Sequence, residues 1–145
     1  MSQYYEMDGT TLWNPSHGAS RLFLNQVEFL AGELGVPSGF SPMESDVCAV
    51  TPVVLEVFLA AVLAWRGHTG HAVVQALSDG LLATLVVIAE RAGITIFWAA
   101  LVVRGRDEMH DVRVRLSPLP GHAGGFEWSA TVREHARQLD SFMAR

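Results

Sequence analysis

The sequence predicts an α+β domain: an N-terminal β-hairpin, three helices, a second β-hairpin and a C-terminal helix, packed on a small, mostly antiparallel sheet. Three observations carry this reading. Strand-like segments fall in two blocks, at 3–13 and 94–116, and do not alternate one by one with helices. The segments between them repeat their apolar residues at helical spacing. Gly, Pro and capping residues punctuate the joints where helices and hairpins end. A length of 145 residues suits a single domain around one core.

Residues 3–7 and 10–13 read as strands around Asp8-Gly9, a dipeptide that tolerates the positive φ angles of a tight hairpin. Tyr4, Tyr5, Leu12 and Trp13 supply the bulky content that strands favour. Asn14-Pro15 marks a helix start, with Ser16 or Ser20 as alternative caps if Gly18 delays it. Phe23, Val27, Leu30, Ala31 and Leu34 give that helix a buried face, and Gly35 with Pro37 stops it. Residues 36–50 read as a loop with a short strand around Val47–Val50. Thr51-Pro52 then opens a second helix to Trp65, apolar nearly all round, with Glu56 its one charged side chain; such a helix lies in a core or at an oligomer interface.

Thr69 is the expected cap of a third helix reaching about Ala92, with Leu77, Leu81, Leu85 and Ile88 in its buried stripe. Gly80 within it suggests close packing against the second helix. Ile94–Val103 reads as an inner strand, and Asp111–Leu116 alternates apolar and charged residues as its hairpin partner. Thr131 and Glu134 form a capping box for a last helix that buries Val132, Ala136, Leu139 and Met143.

Hydrophobic residues make up 50% of the chain and charged residues only 17%, too few to coat a monomer comfortably, so a homodimer is the expected assembly. The uninterrupted apolar runs Val57–Trp65, Leu81–Ala89 and Ile96–Val103 fall short of the roughly 20 residues a membrane span needs, and no membrane is expected. The N-terminus has no signal-peptide pattern, and the lone Cys48 forms no internal disulfide, so the cytoplasm is the default.

All ten basic residues are arginine. Without lysine, Schiff-base catalysis and a P-loop are excluded. The net charge is −5, which disfavours nucleic acid. Residues 1–103 hold three arginines against nine acids, which fits either a basic protein partner or solubility alone.

The most suggestive side chains lie on the third helix. His68, His71, Gln75 and Asp79 share an arc of about 80°, which suits a divalent metal or a site with His71 or Asp79 as acid or base. The plainer account is a solvated helix face. No cofactor is implied. Glu44, Asp46 and Cys48 cluster in one loop, but carboxylates oppose thiolate formation, and Cys48 reads as a buried apolar residue. Arg113 and Arg115, with Arg104 and Arg106, suit an anionic ligand or local ion pairs. Trp13, Trp65 and Trp98 are candidates to line a ligand cavity, or else core. The chain carries no nucleophile elbow, HExxH, paired CxxC or dinucleotide fingerprint.

Tyr4-Tyr5-Glu6 with Gly9-Thr10-Thr11-Leu12-Trp13-Asn14-Pro15-Ser16, then Leu63-Ala64-Trp65-Arg66, His71-Ala72-Val73-Val74 and Glu90-Arg91-Ala92-Gly93, resemble a family of small actinobacterial proteins without an assigned activity. The resemblance spans residues 3–93. It implies a bacterial source and carries over no catalytic residue. The residues themselves suggest a non-catalytic, immunity-like or regulatory domain that binds a macromolecular partner. The alternative is a small-molecule binder or cofactor-free enzyme of specialised metabolism.

Overall fold

A computed structural model describes residues 2–69, 71–98 and 127–145. The elements run β1 (Tyr4–Met7), β2 (Thr10–Trp13), α1 (His17–Leu34), β3 (Val47–Ala49), α2 (Pro52–His68), α3 (Ala72–Arg91) and α4 (Glu127–Phe142). The fold is α+β. Among the described residues the strands form one sheet in the order β2-β1-β3.

The hairpin forms as expected. Asp8 and Gly9 take φ of 50° and 79°, the pair of positive angles that a two-residue turn matched to strand twist requires. The sheet is mixed where a mostly antiparallel one was expected, because β3 lies parallel to β1. The chain leaves the hairpin, crosses over through α1 and returns beside β1 in the same direction, which is how parallel neighbours are joined. Ser16 caps α1 by accepting from the Ala19 N–H, so the helix starts after Pro15, and Gly35 ends it with φ of 63°.

Both sheet edges are covered. On the β3 side, Ser41 N–H bonds Ala49 O at 2.9 Å, and Glu44 and Val47 exchange two backbone bonds. On the β2 side, Leu12 O accepts from Arg91 at 2.6 Å and Asn14 N–H donates to Ala144 O at 2.9 Å. One element departs from expectation. Ile94–Trp98, the start of the anticipated inner strand, forms no strand. Ile94, Ile96 and Trp98 pack against the core instead, and Phe97 points outward. The remainder of the anticipated second hairpin, residues 99–116, lies outside the described residues.

The core joins sheet and helices. Tyr5, Trp13, Phe23 and Phe40 form an aromatic cluster, with Tyr5 stacked on Trp13 at 5.1 Å and edge-on to Phe23 at 5.6 Å. The Tyr5 hydroxyl shares a 2.7 Å hydrogen bond with the buried Ser20 Oγ, which lets both polar groups enter the interior. Leu55, Phe58, Leu59, Val62 and Leu63 present the inner face of α2.

Helix α3 lies at the centre. By length and composition it is apolar enough to cross a membrane, although no single uninterrupted run reached that length. In this fold Leu81, Leu82, Ala83 and Leu85–Ala89 are all buried, on every side of the helix, so the protein supplies its apolar surroundings. The first half differs. Leu77, expected in the buried stripe, is 72% exposed. Gly80 does not mark a close approach to α2: a Cβ there would meet nothing within 4 Å. The cap of α3 is His71 rather than Thr69, whose hydroxyl accepts from the His71 N–H while the helix begins further on. Thr131 is not the start of α4, because that helix is already running from Glu127. Val132 and Ala136 are buried as the spacing implied, with Leu139 and Met143 partly so.

Two arginines fasten the outer helices to α3. Arg91 Nε bonds Asp140 Oδ1 at 2.7 Å, and its other nitrogens reach Asp140 O, Met143 O and Leu12 O at 2.9, 2.8 and 2.6 Å. Arg66 on α2 bonds Asp79 on α3 at 2.7 Å, and its guanidinium lies 5.0 Å from the Trp128 ring of α4. Gly39 sets the approach of the 36–50 segment to α2. It sits at φ of 83°, and a Cβ there would lie 2.6 Å from Leu55 N.

Two variants test this account by chemical denaturation. Arg91→Ala should lose about 2–4 kcal/mol, because three carbonyls lose a charged donor at once. Gly39→Ala should lose about 2 kcal/mol or more from the φ strain and the backbone clash together. A loss below about 0.5 kcal/mol in either, the range of ordinary surface changes, would refute the corresponding role.

Candidate functional site

The third-helix residues do not converge. His68 Nδ1 lies 2.6 Å from Ala64 O, within the last turn of α2. His71 Nδ1 accepts from the Val74 N–H. Gln75 Nε2 donates to Thr69 O at 2.7 Å. Asp79 is bound to Arg66 by two hydrogen bonds, of 2.7 and 3.4 Å. Each polar side chain of the arc therefore has a separate structural partner. Among the described residues, no group of three His, Cys, Asp or Glu is placed to hold a metal.

The arc failed as a cluster for a local reason. His68 belongs to α2 and His71 to the cap of α3, so a helical wheel drawn through both joins residues of different helices. The nearest thing to a polar centre is the one built by Arg66, a residue sequence reasoning left unassigned. Arg66 is only 5% exposed, between Asp79 and Trp128. Its position opposite Asp79 needs the α2–α3 turn to be closed, which no sequence spacing encodes.

The tryptophans are likewise dispersed. Trp13 is buried in the aromatic cluster against Tyr5 and Phe23. Trp65 is half-buried on α2. Trp98 carries Arg133 over its ring at 4.7 Å. Arg113 and Arg115, with Arg104 and Arg106, lie outside the described residues. A groove of about 300 Å³ runs between Gly80 and Ala83 of α3 and His135, Gln138, Leu139 and Phe142 of α4, and none of the three tryptophans lines it.

Cys48 is fully buried, with its thiol donating to Ser41 O at 3.2 Å. Burial pushes the thiol up to about 11, with the Ser41 contacts pulling partly back. It is therefore protonated and inert at neutral pH.

The outer side of α2 is the most distinctive surface. Val53 and Val57 are 72% and 57% exposed, Ala60 is exposed, and Ala64 is partly so. At 100° per residue these four fall opposite the face that buries Leu55, Phe58 and Val62, and they form a stripe without a charge. A helix apolar on both sides buries only one of them here. The second half of α3 shows the other outcome, burial all round.

Cys48 supplies a direct check. At pH 7.5 the folded protein should resist alkylation, and in denaturant one equivalent of label should add. Rapid labelling under native conditions would contradict the burial.

No similar chain was found among curated proteins or among solved structures. One family model does match, over residues 1–145, a longer stretch than the 3–93 of the resemblance read from the sequence. By that match across its whole length the chain belongs to the family of unknown function DUF6086.

Proposed function

We propose that the chain is a non-catalytic interaction domain, of an immunity-like or regulatory kind, that works by binding a macromolecular partner. The apolar outer stripe of α2, with Glu56 at its margin, carries the proposal. Leaving Val53, Val57, Ala60 and Ala64 in water forgoes burial worth roughly 25 cal/mol per Å² of apolar surface, which a partner would recover. The side chains that suggested a metal or acid–base site in sequence, His68 as a ligand and His71 and Asp79 in either role, each serve the α2–α3 turn or the ion pair across it.

Two kinds of partner follow from the sequence, a second copy of the chain and a basic protein. The low charged fraction supports the first. The net charge of −5, with Glu28, Glu33 and Glu56 exposed on α1 and α2, supports the second by steering a cationic protein to this side of the sequence. A cytoplasmic location and an actinobacterial source complete the proposal. The reduced, buried Cys48 and the arginine-only cation content support them.

Val57→Glu is the informative variant, since a residue 57% exposed can be replaced with little effect on folding. Sedimentation velocity at high micromolar concentration should show self-association of the wild-type chain and its loss in Val57→Glu. If the partner is heterologous, a stoichiometric protein retained by the wild type should be released by the variant. A monomeric wild type whose captured proteins are indifferent to Val57→Glu would overturn the proposal.

A further inference from the structure

The turn joining α2 to α3 sets two imidazoles at opposite helix poles. His68 stands in the last turn of α2, with Nδ1 2.6 Å from Ala64 O. A carbonyl only accepts, so this nitrogen carries a proton whether the ring is neutral or charged. His71 opens α3, and its Nδ1 accepts from the Val74 N–H at 3.4 Å. That nitrogen must be bare. The other bonds of the turn do not depend on either ring: His71 N–H to Thr69 Oγ1, Gln75 Nε2 to Thr69 O, and Gln75 N–H to His71 O.

Among the described residues, α2 carries Glu56, Arg66 and His68, and α3 carries Asp79, already paired with Arg66, with Glu90 and Arg91 at its far end. Helix α4 meets this end through Trp128; its Arg133 lies over Trp98 and its Glu134 is paired with Arg137. Among these described groups, none is an acid bonded to His71.

We infer that His71 is a proton-sensitive catch on the first turn of α3. The neutral ring caps the Val74 N–H. Protonation turns that acceptor into a donor and sets a positive charge at the positive pole of the helix. The cap holds while Nδ1 is bare and is lost when that nitrogen takes a proton. His68 changes in the opposite sense, since a cation at the end of α2 is favourable. Acid therefore loosens only the α3 side of the turn, where Val73 is already exposed.

Amide hydrogen exchange, corrected for intrinsic rates, tests this. Between about pH 7.5 and pH 5.5, protection of the Val74 amide should fall about fivefold, the size of one lost cap. His71→Asn should abolish the fall, because Asn caps without titrating, and His68→Gln should preserve it. A fall that persists in His71→Asn, or no fall in the wild type, overturns the inference. Nitrogen shifts of the wild-type ring give an independent reading. A bare Nδ1 at neutral pH is expected, and a protonated one would sink the idea even if the variants did not fold.

Discussion

The attachment of helices to α3 through two buried arginines is the constraint on which the rest of this molecule depends. A helix buried nearly all round, as α3 is from Leu81 to Ala89 with Thr84 alone partly exposed, has too narrow a polar face to fix its rotation or its neighbours. Apolar contacts are non-directional and allow many packings of similar energy. Arg91 and Arg66 remove that freedom at the two ends. Arg91 demands four oxygens in fixed positions, drawn from β2, α4 and the tail after it. Arg66 demands Asp79 and a place beside Trp128. Buried charges weaken a fold when misplaced, and so they exclude the alternatives.

Arg91 also reaches the sheet. A three-stranded sheet with open edges invites pairing with another chain. Here Arg91 and the C-terminal tail cover Leu12 and Asn14 on one edge, and the segment from Phe40 to Glu44 covers β3 on the other. Among the described residues, apolar surface that reaches water lies mainly on helices. Helix α2 is the clearest instance, with Val53 and Val57 outward and Leu55 and Phe58 inward.

Much of the candidate chemistry dissolved for one physical reason. Polar residues near helix ends are first claimed by orphan backbone groups. His71, Ser16 and Gln75 each bond a backbone atom within a few residues of themselves, and His68 does the same. A periodicity argument counts such residues as free to converge on a ligand. The split was legible in principle, since Gly70, a poor helix former, stands between His68 and His71 in the sequence.

What the sequence determined by itself was local. Asp8-Gly9 dictated its hairpin through φ, Ser16, the alternative to Asn14, capped the first helix, Pro52 opened the second, Gly35 stopped the first, and Val132 and Ala136 declared their buried face. Each rests on steric or periodic rules acting within a few residues. Tertiary structure alone decided that β3 lies parallel to β1, that Ile94–Trp98 is not a strand, that Leu77 faces water and Leu81 does not, and that Arg66 meets Asp79. These outcomes depend on which surfaces and edges remain after distant elements have docked. Hydrophobicity reports how strongly a residue seeks burial, and it carries no information about which partner will supply it.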